Sequence, residues 1–118
     1  FLASVIDKLK ARSDKLATGL IYASDHGESL GENGIYLHGA PYILAPAEQT
    51  HVPFLVWFDD DFAKSMGLDA ACLTKEAQAG GRSHDNFFHS ILGMMNISTS
   101  VYDPSLDVFS ACRHRPSA

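Results

Sequence analysis

Nowhere in the sequence does an apolar run approach the roughly 20 residues that cross a bilayer as a helix. A secretory leader pattern is missing too. Positive charge is in deficit: 9 Lys and Arg against 14 Asp and Glu leave a formal net charge of −5. That balance excludes the basic face on which non-specific nucleic-acid binding depends. Internal repeats and low-complexity tracts are absent. So is an initiator methionine: the chain opens on Phe1, and a fragment of a longer protein is expected, whose targeting signals lie elsewhere. Cysteine is scarce, with only Cys72 and Cys112. In a reducing compartment these would be two ordinary buried thiols, in an exported protein a pair, and the residues alone do not choose. What is present is 46% hydrophobic and 19% charged, the balance of a folded globular chain. At 118 residues it is one domain or a piece of one.

Residues 1–12, FLASVIDKLKAR, place Leu2, Val5, Ile6 and Leu9 on one face of an amphipathic helix, with Asp7, Lys8 and Lys10 toward water. A short turn follows, and ATGLIYAS (17–24) reads as a buried strand. Helix, short loop and buried strand in succession suggest a parallel sheet covered by helices. Residues 25–52 form a long irregular segment of the kind that carries function. VPFLVWF (52–58) is a second buried strand with Pro53 at its start, where a missing N–H is tolerated. The segment DDDFAKSMG predicts a short helix with an aspartate cap. LDAACLTKEAQAGG is weakly amphipathic and stops at Gly80-Gly81. SHDNFFHSILGMMN (83–96) predicts a clear helix, capped by Ser83 or Asp85, with Phe87, Phe88, Ile91, Leu92 and Met95 as its apolar stripe. The tail from Tyr102 reads as loop.

The chemistry is concentrated in YASDHGESLGENGIYLHG, Tyr22–Gly39. Ligands of open α/β sheets gather beyond the carboxyl ends of strands, where Asp25 and His26 stand. A carboxylate oxygen beside an imidazole nitrogen suits zinc or manganese, and Gly27 permits the bend that lets both reach one cation. Two ligands leave a tetrahedral site incomplete, so the others must come from elsewhere in the parent. The plainer alternative is a turn, since Asp-His-Gly is common turn composition. Glu28 and Glu32 read equally as a first-turn helix carboxylate and a solvated loop charge, and His38 as a turn residue or a donor to a phosphate oxygen.

SDHGESLGENGIYLHGAPY followed by APAEQTHVPFLVW resembles the C-terminal part of the lipid A phosphoethanolamine transferases. That family includes the mobile colistin-resistance enzymes and belongs to the alkaline phosphatase and sulfatase superfamily. The resemblance is densest over 22–58 and continues through SHDNFFHSILGMMN. It implies an α/β fold: a fragment of an alkaline phosphatase/sulfatase-like domain, mostly parallel sheet flanked by helices. It also implies a zinc enzyme with a metal-bound threonine nucleophile, which takes phosphoethanolamine from phosphatidylethanolamine and passes it to lipid A. By motif match Asp25 and His26 are metal ligands. His38 is the catalytic histidine on the substrate side, with Glu28 beside it as a substrate-binding residue. The threonine nucleophile and the glutamate ligand have no counterpart in this chain, so the 118 residues alone are expected to be inactive. Residues 1–118 would then be the C-terminal part of a soluble catalytic domain on the periplasmic face of the bacterial inner membrane. Membrane contact would run through a missing N-terminal region. In that oxidising compartment Cys72 and Cys112 are expected to pair.

His51 is expected to be structural or exposed, His84 and His89 are spaced poorly for a metal pair, and His114 is expected to be solvated. Two alternatives remain: another metal-dependent phosphatase, phosphodiesterase or sulfatase of the superfamily, and a non-catalytic metal-binding module that folds alone. A zinc titration separates the module, which would bind tightly as an isolated chain, from a half-site, which would not.

Overall fold

The computed structural model describes residues 1–114. They form two compact units: Leu20–Trp57, and Phe1–Gly19 together with the chain from Phe58 onward.

In the second of these, α1 (Leu2–Lys10) half-buries Leu2, Val5, Ile6 and Leu9 and exposes the residues between them, as the sequence pattern predicts. Lys8 and Lys10 lie in its last turn, where they complement the negative helix end. The DDDFAKSMG segment forms α3 (Asp60–Ser65), and Asp59 is its cap. The Asp59 carboxylate accepts the Phe62 N–H at 2.7 Å, and the Thr18 N–H and hydroxyl at 2.6 and 2.7 Å. These bonds, the Thr18 hydroxyl foremost, pull its pKa down to about 2. An unfolded Asp titrates near 3.9. With the folded value below the unfolded one, the stabilisation by this carboxylate is complete above about pH 4 and disappears as pH falls through about 2. Asp59→Asn is therefore expected to flatten the acid limb. Thermal midpoints measured from pH 5 to pH 2 should fall less for the variant than for the wild type, and parallel curves would refute the assignment.

Asp69 caps α4 (Ala70–Ala79) through the Cys72 N–H at 2.9 Å, a bond that also lowers its pKa. Cys72 on α4 is disulfide-bonded to Cys112 in the tail, with 5.5 Å between the α-carbons.

The last helix, α5 (Asp85–Met94), departs from its predicted stripe. Ser83 closes its start by reciprocal bonds with Asp85 and Asn86, while Phe88 and Met95 are exposed. The buried positions are Asn86, Ser90 and Gly93. They form a small polar face that receives the tail. The Asn86 amide donates to the Leu106 carbonyl at 2.9 Å, Val108 N–H donates to the Ser90 hydroxyl at 3.0 Å, and a Cβ on Gly93 would strike the Asp107 carboxylate. The tail is irregular as expected but is not a surface loop. Phe109 is 1% exposed and meets Phe58 edge-on at 5.6 Å, and Phe62 stacks on Phe58 at 5.0 Å. His114 is exposed, and its backbone N–H reaches Gly67 O at 2.8 Å.

The Leu20–Trp57 unit carries the strands except for the end residues Gly19 and Phe58. β1 (Gly19–Ala23) and β4 (Phe54–Phe58) make one two-stranded sheet. Asp59 N–H donates to Thr18 O at one end and Ser24 N–H to Pro53 O at the other, so the two strands run antiparallel. The expected mostly parallel sheet is corrected here. A parallel pair needs a crossover, usually a helix of several turns, whereas the α-helix of this connection is the four-residue α2 (Ala47–Thr50). Both strands are half-buried rather than buried, because a two-stranded sheet leaves edges and faces uncovered. The long irregular segment contains β2 (Ser29–Leu30) and β3 (Tyr36–Leu37), an antiparallel pair with Ser29 opposite Leu37.

Candidate metal centre

The chain leaves β1 at Ser24, and its hydroxyl donates to the His26 carbonyl at 2.8 Å, which folds the Asp25-His26 turn. Gly27 then donates its N–H to Gln49 O at 3.0 Å, and a Cβ there would run into the Glu48 carbonyl. Only glycine permits that approach. Gly27→Ala should cost roughly 1–3 kcal/mol by overpacking. It should also misplace His26 and Glu28, its two neighbours, and lower activity of the complete protein by about 10²-fold. An unchanged melting point and full activity would contradict this.

Gln49 is the second determinant, and motif reading missed it. Its side chain is buried, and Nε2 donates to the Ser29 hydroxyl at 2.8 Å and to the Leu37 carbonyl at 3.1 Å. Leu37 sits at φ 65°, left-handed backbone that costs a non-glycine residue about 1–3 kcal/mol and persists only where its surroundings enforce it. The Gln49 bond supplies that enforcement and sets the direction in which the next residue, His38, leaves the strand. Gln49 lies on α2, outside the metal-type motif, and nothing in the local pattern marks it.

The result is a cluster of His26, Glu28 and His38, whose ligand-type atoms all lie within 4.8 Å of one another. The His26 and His38 rings stack with centroids 4.1 Å apart. His38 Nδ1 lies 2.9 Å from Glu28 Oε2, and His26 Nδ1 lies 2.9 Å from Gly27 O. Glu28 stands in irregular chain just before β2, not in the first turn of a helix. Asp25 lies outside the cluster of three. Its Oδ2 is 3.7 Å from His26 Nε2, and its side chain is 89% exposed. The structure thus brings His38 and Glu28, which the motif set on the substrate side, against the expected metal ligand His26. Glu32 turns back on the loop and accepts the Leu30 N–H at 2.7 Å. Backbone hydrogen bonds of this kind lower its pKa.

The donor chemistry fits zinc. Two ligands about 2.0–2.2 Å from one tetrahedral zinc lie about 3.4 Å apart. The 3.7 Å between Asp25 Oδ2 and His26 Nε2 is close to that span and long for a direct hydrogen bond. The Gly27 carbonyl, an acceptor only, makes His26 Nδ1 the donor and leaves Nε2 with a lone pair that could take a metal. His51 and His84 are exposed, and His89 Nδ1 accepts the Asp103 N–H at 2.9 Å, so none of the three joins the cluster. After His38 the chain makes a tight turn, with Leu44 and Ala45 N–H both on Pro41 O, and leaves Tyr42 and Ile43 exposed. No Asp, Glu, Lys or Arg stands between Glu32 and Glu48.

Comparison with known proteins agrees with the motif. A family model described as Sulfatase matches residues 1–97. The chain is 48% identical over 108 residues to phosphoethanolamine transferase EptA of Escherichia coli strain K12, covering 92% of this chain and 20% of that protein. The crystal structure of the soluble domain of lipooligosaccharide phosphoethanolamine transferase A from Neisseria meningitidis superposes with a TM-score of 0.91 at 46% identity, covering 98% of this chain and 34% of that one. The C-terminal periplasmic domain of phosphoethanolamine transferase EptC from Campylobacter jejuni gives 0.76 at 42% identity, with 98% and 35% covered. The chain spans about a fifth of the length of the curated relative and about a third of the solved domains. It belongs to the sulfatase family, and what it resembles there is part of the catalytic domain of the phosphoethanolamine transferases.

Proposed function

We propose that this chain is the C-terminal part of the periplasmic catalytic domain of a zinc-dependent phosphoethanolamine transferase at the inner-membrane face. Its donor is phosphatidylethanolamine and its acceptor is lipid A. The observation that carries the reading is the Asp25–His26 pair, a carboxylate oxygen and an imidazole nitrogen spaced for one zinc, with the ring fixed by Gly27 O. The likeness to transferases supports the reaction class, and the Cys72–Cys112 bridge supports an oxidising compartment.

Asp25 and His26 would hold the zinc, with the remaining ligands and the threonine nucleophile supplied by the rest of the protein. Bound there, zinc supplies positive charge that lowers the pKa of an attached hydroxyl and neutralises charge growing on phosphoryl oxygens. In the first transfer a P–O bond forms to the threonine oxygen, the bond to diacylglycerol breaks, and the departing oxygen takes a proton. In the second, a lipid A phosphate oxygen displaces the threonine, which recovers its proton. His38, stacked on His26, would hold a phosphoryl oxygen or deliver the proton to the leaving oxygen. The uncharged, apolar turn after His38 suits a lipid substrate. The product carries an added amine on a lipid A phosphate, which weakens binding of cationic polymyxins.

The test is direct. The complete protein, purified with zinc, is given phosphatidylethanolamine and lipid A, and lipid A is examined by mass spectrometry. A phosphoethanolamine mass addition that disappears on zinc removal is expected. Release of free phosphate or sulfate from simple esters, with lipid A unmodified, would move the chain to the hydrolases of the family.

A further inference from the structure

Within the cluster, the three ligand-type side chains do not stand in equivalent states. A carboxylate accepts hydrogen bonds and cannot donate one when ionised. The 2.9 Å contact of Glu28 Oε2 with His38 Nδ1 therefore fixes the proton on Nδ1. The Gly27 carbonyl imposes the same choice on His26. The two stacked imidazoles thus share one tautomer, with both Nδ1 atoms turned to the chain and the Nε2 of His26 turned to Asp25 Oδ2. His26 obtains this from backbone, and His38 obtains it from a side chain.

We propose that Glu28 is a positioning residue: by accepting the Nδ1–H of His38 it holds that ring so that Nε2 is the atom that meets the phosphoryl group and carries the proton. This rests on the function proposed above. Glu28 then neither ligates zinc nor binds the ethanolamine amine. Its partially exposed carboxylate commits one oxygen to His38, and the stacked ring of His26 covers one face of that imidazole. Partners of this kind, hydrogen-bonded to a functional imidazole, typically change affinity or activity 10–100-fold when removed.

The experiment compares Glu28→Ala and Glu28→Gln in the complete, zinc-loaded protein, with kinetics, zinc content and nitrogen resonances of isotopically labelled histidine. Gln keeps an oxygen that can accept from Nδ1–H, and Ala does not. The expected result is a fall in kcat of roughly 10–100-fold for Glu28→Ala at nearly constant KM. Glu28→Gln should recover most of that loss, with zinc unchanged in both. The His38 resonances should report an Nδ1–H imidazole in the wild type and in Glu28→Gln, and a shift toward Nε2–H in Glu28→Ala. Loss of zinc in Glu28→Gln would make Glu28 a ligand and overturn the proposal. An equal rise of KM in both variants would make it a substrate contact, with the same consequence. The resonances need no turnover. A wild type that transfers no phosphoethanolamine thus defeats the function proposed above, while an Nε2–H resonance for His38 in the wild type defeats the positioning role.

Discussion

His26→Ala in the complete protein is expected to lose its zinc and its transferase activity together. The residue follows Asp25 directly, its ring is fixed by Gly27 O, and its Nε2 is the atom within 3.7 Å of Asp25 Oδ2. No neighbouring side chain can replace it without moving: the nearest imidazole, His38, is already bonded to Glu28. His38→Ala should behave differently. It should keep the zinc and the fold and lose about 10²-fold or more in transfer, the scale for removing a proton-transfer group or a charge-stabilising donor. Zinc analysis and turnover on the two variants separate the roles. If His38→Ala empties the zinc site as fully as His26→Ala does, the two histidines are joint ligands and the division fails.

Removing the cross-link should be the largest change in stability. The Cys72–Cys112 bridge spans 40 residues. In the chain-entropy account a closed loop of that size stabilises by about 4 kcal/mol, through what it denies the unfolded state. The native contacts around it are modest: Asp69 N–H on Cys112 O at 2.9 Å, and the isolated bridge between Leu68 and Arg113. Paired replacement of both cysteines by serine is expected to lower the urea midpoint and to steepen the transition, because the unfolded chain without its cross-link exposes more surface. A midpoint equal to that of the wild type would mean that the α5–tail hydrogen bonds alone hold this region.

What the sequence disclosed and what it concealed divide along local and non-local physics. The face of α1, the Asp59 cap and the placing of Asp25 and His26 just after a strand depend on residues a few positions apart, and each was legible. The antiparallel pairing of β1 with β4 depends on bonds between residues 18 and 59 and between 24 and 53, which no local pattern encodes. The apolar pattern of α5 predicts Phe88 and Met95 inward, and both are exposed. The helix instead turns Asn86, Ser90 and Gly93 inward, since what packs there is backbone of the tail with polar groups to satisfy. At the candidate metal centre the motif gave the residue types. The contact of His38 with Glu28 came from Gln49 bending the loop at Leu37, a constraint visible only in three dimensions.

The order of the two cysteines along the chain also has a clock in it. At about 5–20 residues per second of synthesis, Cys72 emerges roughly 2–8 s before Cys112, which stands 40 residues later. For that interval the thiol on α4 waits without its partner. No other cysteine lies between the two, so the next thiol to arrive after Cys72 is the native one, and arrival order itself favours the correct pairing.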